Sequence, residues 1–111
     1  METLKKNYEF RRLYSKGKSA LTRSIVVYCR KAGHPEIRVG FTVSNKIGNA
    51  VTRNRIRRRL REIFRLHEKE LAGHLELVIV ARTRAAFSDY HQLESDFLKA
   101  CEELSLFRKG E

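Results

Sequence analysis

The segment Thr52-Arg53-Asn54-Arg55-Ile56-Arg57-Arg58-Arg59-Leu60-Arg61 places six arginines in ten residues. Such a run joins a folded core only if its few apolar residues gather on one side. They do so on a helix from about Ala50 to Leu71. At helical pitch Ile56, Leu60, Ile63, Phe64, His67 and Leu71 fall within about 100° of arc, a stripe that must be covered by another layer. Arg58 and Arg65 project almost opposite it, with Arg55 and Arg61 nearby. Arg57 and Arg59 take the flanks, where their stems can lie on apolar surface and present the guanidinium outward. Arg53 sits in the first turn. Asn49 and Thr52 both suit the N-cap, and the sequence does not choose between them.

The layer this stripe needs is legible on either side. Ser24-Ile25-Val26-Val27-Tyr28-Cys29-Arg30 is β-branched and reads as a strand, with Ile25, Val27 and Cys29 on one face and Val26, Tyr28 and Arg30 on the other. A turn over Ala32-Gly33-His34-Pro35-Glu36 leads to Ile37–Val43, where Ile37, Val39, Phe41 and Val43 alternate. Together these suggest a half-buried antiparallel hairpin. Residues 44–49 form a loop. Leu75–Ala81 is nearly continuously apolar, as expected of a strand covered on both faces. Asn7–Tyr14 reads as a short helix capped by Asn7, with Phe10, Leu13 and Tyr14 on one side, ended by residues 15–19. Ser88 is expected to cap a last helix whose core stripe is Tyr90, Leu93, Phe97, Cys101 and Leu104. The order is helix, strand, strand, helix, strand, helix, with room for one more short strand. It predicts an α+β fold with helices packed on a mixed sheet, a single domain over residues 1–111.

Charge narrows the partners. The net charge is +11, made of +8 over residues 1–49, +6 over 50–66 and −3 over 67–111. Like-charge i,i+4 pairs such as Arg57/Arg61 and Arg61/Arg65 each cost a few tenths of a kcal/mol, and Glu62 alone offers local relief. A polyanion is the natural partner, and arginine forks match phosphate better than lysine does. A solvated surface helix would interleave more acids. A membrane-surface helix would need the stripe that the sheet needs. A sequence-reading DNA helix would need Asn, Gln or Ser among the arginines, and only Asn54 qualifies. Lys46 and the free N–H groups of the first helical turn add a phosphate site, although Gly48-Asn49 lacks the spacing of a phosphate-cradling loop.

Phe10, Tyr14 and Tyr28 lie among Arg11, Arg12, Lys16, Lys18 and Arg30. Aromatics among cations make a platform for single-stranded nucleic acid; packing of the first helix on the sheet explains Phe10 and Tyr14 equally well. Phe41, Phe64 and Phe97 belong to core stripes. Chemistry by this chain alone is not indicated. His34, His67, His74 and His91 lie in separate elements, the acids show no paired-carboxylate pattern, and Ser44 has no evident base. Cys29 and Cys101 lack zinc spacing and read as buried thiols. No apolar run approaches the roughly 18 residues of a membrane span, and Met1–Lys6 leads into no signal-peptide core, so a cytoplasmic protein is expected.

Residues 38–58, Arg38-Val39-Gly40-Phe41-Thr42-Val43-Ser44-Asn45-Lys46-Ile47-Gly48-Asn49-Ala50-Val51-Thr52-Arg53-Asn54-Arg55-Ile56-Arg57-Arg58, closely resemble the signature of the bacterial ribonuclease P protein subunit. That signature is an Arg-Asn-Arg motif preceded by a Val-Gly-x-x-Val-Ser-x-Lys-x-Gly-x-Ala-Val run. Glu9-Phe10 with Tyr14 and Gly17 resembles the family's first helix, Val27-Tyr28 its first strand, and Leu77–Arg82 its late strand. Asn45 departs from the pattern, standing where the family often has a second lysine. The resemblance implies a two-layer α+β sandwich on a mixed four-stranded sheet, with a left-handed βαβ crossover similar to the second domain of ribosomal protein S5. It further implies an accessory subunit of the ribonucleoprotein that removes the 5′ leader of precursor tRNA. In that family the RNA carries catalysis, and the holoenzyme requires divalent metal (Mg2+). By carry-over, Lys46, Arg53, Asn54, Arg55, Arg57, Arg58, Arg61 and Arg65 are expected to bind the catalytic RNA. Phe10, Tyr14, Tyr28, Arg11 and Lys16 are expected to bind the leader. No catalytic residue, protein-held metal, small-molecule substrate or membrane partner is implied. Another structural RNA-binding protein, such as a ribosomal one, would share the charge and size.

Overall fold

The computed structural model describes residues 1–109. Five strands and three helices follow in the order β1 (Glu2–Thr3), α1 (Asn7–Lys16), β2 (Lys18–Leu21), β3 (Ile25–Lys31), β4 (Ile37–Thr42), α2 (Ala50–His67), β5 (Leu75–Ala81) and α3 (Tyr90–Glu103). The strands form one mixed sheet in the order β1-β4-β5-β3-β2, with β1, β4 and β5 parallel and β3 antiparallel to both β5 and β2. It has one strand more than the four expected. The two shortest strands, β1 and β2, are its edges.

The expected hairpin does not form, because β5 lies between β3 and β4. The reason is in the side chains. Leu75–Ala81 is buried along nearly its whole length, so it belongs at the centre, covered on both faces and paired on both edges. β3 and β4 each carry a partly polar face and take the flanks. The link between them crosses the start of β5, where Ala32 N–H donates to the His74 carbonyl (2.9 Å) and His74 N–H donates to the Pro35 carbonyl (3.0 Å). His74 has a left-handed backbone there, φ 61°.

Alternation divides the sheet into two faces. Ile25, Val27, Leu77, Ile79 and Val39 meet Ile56, Leu60, Ile63 and Phe64 of α2 and Leu93, Phe97 and Cys101 of α3 in the main core. On the other face Val78 meets Leu4 and Leu13, with Phe10, Tyr28 and Val80 packed against them. Thus α2 and α3 cover one side and α1 the other. Parallel neighbours β4 and β5 are joined through α2, the strand–helix–strand crossover expected around the arginine segment.

Several element ends differ from expectation for local reasons. Asn49 caps α2, accepting from Thr52 N–H at 2.9 Å. The helix stops at His67, and a 3-10 turn (Glu68–Glu70) delivers the buried Leu71. Asp89, not Ser88, caps α3, because Asp89 and Gln92 exchange side-chain and backbone hydrogen bonds reciprocally at 2.8 and 2.9 Å. Ser88 instead donates to the Arg84 carbonyl. The start of α1 is held not by Asn7 but by the Glu9 carboxylate, which accepts from Lys6 N–H (2.9 Å) and Lys5 N–H (3.0 Å). Those N–H donors, Lys6 first, hold its pKa below the usual carboxylate value. α1 runs to Lys16 and stops at Gly17, where an added Cβ would lie 2.6 Å from the Leu13 carbonyl oxygen and 2.7 Å from that of Cys29. Only glycine lets the chain turn into β2 that close to two backbone groups.

Candidate nucleic-acid interface

Helix α2 presents what its projection promised. Ile56, Leu60, Ile63 and Phe64 are buried, while Asn54, Arg55, Arg58, Arg61 and Arg65 are exposed and Arg53, Arg57 and Arg59 are half-buried at the margins. Among the described residues no arginine of α2 forms a salt bridge. Instead Arg57 donates to Asn54 Oδ1 (3.0 Å), Arg59 to the Ser88 carbonyl (3.4 Å) and Arg53 to Asn45 Oδ1. Asn45, the departure from the family pattern, thus serves as a brace for Arg53. Asn54, Arg57, Arg58, Arg61, Glu62 and Arg65 line a groove of about 420 Å³ along the exposed face. Lys46 is exposed on the 3-10 turn Asn45–Ile47, just before α2. Of the expected catalytic-RNA set, Asn54, Arg57, Arg58, Arg61 and Arg65 thus share one groove, while Lys46 and Arg55 are exposed outside it and Arg53 is half-buried.

A second hollow, about 670 Å³, opens between α1 and the end of β4 and is lined by Asn7, Phe10, Arg11, Tyr14, Phe41, Thr42, Val43 and Arg57. It exists because β1 pairs only with Arg38 and Val39, so no strand covers the edge of β4 beyond them. Its floor depends on Gly40: an added Cβ would stand 2.5 Å from Phe10 Cε2, so the Phe10 ring lies directly on the glycine backbone. Tyr14 is 41% exposed; its hydroxyl hydrogen-bonds Thr42 Oγ1 at 2.9 Å. Tyr28 props it from the sheet, edge to face, with ring centroids 5.0 Å apart.

Of the expected leader residues, Phe10, Arg11 and Tyr14 line this cleft and Tyr28 supports it. Lys16 does not. It lies at the far end of α1, beside Lys18, Arg30 and Lys31 in a separate hollow. Sequence reasoning missed Thr42 and assigned Phe41 to the core alone. Period two puts Thr42 on the α1 face with Gly40, a signal that was available. Phe41 is half-buried, packs edge to face on Phe64 at 6.4 Å and has the Arg61 guanidinium 5.9 Å above its ring, so it belongs to core and cleft together.

The cleft keeps its shape because α1 is tied to the sheet by charge as well as by Leu13. Glu76, whose side chain is only 3% exposed, meets Arg30 at 2.9 Å and Arg12 of α1 at 3.5 Å, with His34 Nε2 at 3.5 Å. The buried carboxylate is thereby compensated. Elsewhere His67 at the end of α2 meets Glu94 of α3 (2.7 Å) and Glu70 (3.1 Å). Burial works against its charge, but those carboxylates prevail and raise its pKa above 6.5. Both cysteines are buried free thiols; burial pushes Cys29 up and Cys101 up to about 12. Among the described residues no group of three or more His, Cys, Asp or Glu is placed to hold a metal ion. No helix among them is long and apolar enough to cross a membrane.

An arginine face on one helix relieved by a single acid, Glu62, and an aromatic cleft beside it that opens onto an uncovered strand edge, define a class: small basic α+β proteins suited to binding RNA. A family model for ribonuclease P matches residues 1–105. The ribonuclease P protein component of Natranaerobius thermophilus is 41% identical over 108 residues, 97% of this chain and 94% of that one. That of Halalkalibacterium halodurans is 39% identical, covering 95% and 89%. Among solved structures, the Staphylococcus aureus RNase P protein superposes with a TM-score of 0.89 at 32% identity, over 97% of this chain and 99% of that one. The RNase P protein from Thermotoga maritima gives 0.80 at 28% identity, over 89% and 94%. The chain belongs to the ribonuclease P protein family, and so is an accessory subunit of a ribonucleoprotein endoribonuclease that acts in tRNA 5′ processing.

Proposed function

We propose that the two surfaces divide the labour of that subunit: the α2 face docks on the catalytic RNA, and the α1–β4 cleft holds the single-stranded 5′ leader of precursor tRNA. The observation that carries this reading is the position of Arg57, which lines both the α2 groove and the aromatic cleft. One guanidinium at the seam lets the two polyanions approach each other without a gap in counter-charge. Lys46, Arg53, Asn54, Arg55, Arg58, Arg61 and Arg65 extend the docking side. Phe10 and Tyr14 stack leader bases, Arg11 neutralises backbone phosphate, and Tyr28 sets the angle of Tyr14. Lys16 meets the strand only where it continues past the end of α1. Stacking and backbone contacts tolerate varied leader sequences, which suits one enzyme acting on many precursors. The divalent metal (Mg2+) of the holoenzyme supplies charge neutralisation and an activated water at the RNA; no side chain of this chain is assigned to it. The partners are the catalytic RNA and precursor tRNA in the cytoplasm, with no membrane and no small-molecule substrate.

The test is reconstitution. Added to ribonuclease P RNA at low Mg2+, the chain should restore precursor cleavage, with an affinity that falls steeply with salt. Absence of rescue at a concentration that binds the RNA would overturn the reading. Phe10→Ala with Tyr28→Ala should weaken precursor tRNA more than mature tRNA; equal losses would reduce these aromatics to core.

A further inference from the structure

Phe87 is 79% exposed, the most exposed large apolar side chain of the described residues. It ends the 3-10 turn Thr83–Phe87, between β5 and α3. The residues around it are cationic: Arg23, Arg84 and Lys99 share its hollow of about 390 Å³, with Ser88, Gln92 and Ser95 as neutral polar groups. Two acids also line the hollow, and both are already engaged within the protein. Asp96 accepts from Ser24 Oγ (2.6 Å) and Ser24 N–H (3.0 Å), and Asp89 accepts from Gln92 N–H (2.8 Å) as the cap of α3. Arg23, Arg84 and Lys99 form no salt bridge among the described residues. The hollow therefore joins an exposed aromatic ring to three cations that form no ion pair, with its two carboxylates held by neutral donors of the protein.

That pairing has a specific complement. A π-face beside guanidinium groups suits an unpaired nucleobase whose flanking phosphates reach the cations. A purely apolar protein surface would leave the three charges unmatched, and a bare polyanion would leave the ring unused. Position selects the RNA. The hollow adjoins the flank of α2, since Arg59 donates to the carbonyl of Ser88, the next residue after Phe87. The cleft assigned to the leader is lined by α1, β4 and Arg57 and shares no residue with it. We infer that Phe87, with Arg23, Arg84 and Lys99, is a second contact with the catalytic RNA, at which an unpaired nucleotide stacks on the ring. This rests on the docking role proposed for α2 and extends that surface around the helix.

The experiment compares the full chain with Phe87→Ala, Phe87→Leu and Phe87→Trp for affinity to ribonuclease P RNA, then for precursor tRNA affinity of the assembled holoenzymes. A surface position leaves the fold intact, which circular dichroism verifies. Loss of one stacked base weakens binding by about ten-fold. That loss is expected for Ala and Leu, with Trp close to wild type. Arg84→Gln should flatten the salt dependence of RNA binding, while Phe87→Ala leaves its slope unchanged. A photo-crosslinking residue at position 87 should mark a nucleotide of the catalytic RNA. Wild-type affinity in Phe87→Ala, a Leu variant as tight as Trp, or a loss confined to precursor tRNA would each overturn the assignment. If the unaltered chain itself fails to bind the RNA, the docking reading fails first, and the site falls with it.

Discussion

Replacing Gly40 by alanine strikes the floor of the cleft proposed to hold the leader, without removing any group assigned to contact RNA. The new Cβ would stand 2.5 Å from Cε2 and 2.6 Å from Cζ of Phe10, whereas carbon atoms in contact settle at about 3.5–4.0 Å. The ring must retreat by about 1 Å. Both atoms belong to the tip of a side chain, so the ring tilts away from the sheet and β4 stays in register with β5. Overpacking costs about 1–3 kcal/mol. Phe10 is half-buried and borders an open cleft, which places Gly40→Ala in the lower part of that range, about 1–2 kcal/mol. For a chain of this size the melting temperature should fall by about 4–8 °C. The displaced ring also narrows the cleft, so the holoenzyme's preference for precursor over mature tRNA should fall about five-fold for each kcal/mol of stacking lost. Thermal melts followed by circular dichroism and parallel affinities for the two tRNAs read both effects. Adding Phe10→Leu should relieve the clash, making the double variant more stable than the sum of the single losses implies. Additive losses, or an unchanged melt, would refute the packing argument. A lower melting temperature with full precursor preference would remove Phe10 from leader binding.

Two further predictions concern groups outside the interface. His67 has a folded pKa raised above 6.5 by Glu94 and Glu70, so the stability it contributes is complete below about pH 6.5 and is lost as pH rises through the folded value; denaturant titrations of wild type and His67→Gln should converge on the alkaline side, and a constant difference across that window would count against the ion pairs. Burial pushes Cys101 up to about 12 and also raises Cys29, so neither thiol should react with iodoacetamide at pH 8 until the chain unfolds; prompt labelling of the native protein would show the core to be more open than described.

Much of this molecule was legible because its signals are periodic. The stripe of α2, the alternation in β3 and β4 and the apolar run of β5 each report which side chains must leave water, and burial obeys them. The hairpin failed as an expectation because alternation tells which face is buried but not which strand is the neighbour. The connection Ala32–Glu36 was read as a turn when it crosses the start of β5. The caps failed where a competing reciprocal pair, Asp89 with Gln92, or a carboxylate reaching back, Glu9, won over the nearest polar residue.

The site divides the same way. Sequence alone determined the composition of both surfaces: seven arginines with one acid over residues 50–66, and aromatics set among cations in the first thirty. A helix has one way to turn such a pattern into a core side and a cationic side. Tertiary structure decided where those surfaces meet, because that depends on contacts distant in the chain. Phe10 lies on Gly40 and Tyr14 bonds Thr42, while Arg57 reaches the cleft from α2. The same placement carries Lys16 away from the cleft and leaves Phe87 exposed beside the flank of α2. Local periodicity can say which side of an element faces water; only the packing of one element against another says what else faces the same water.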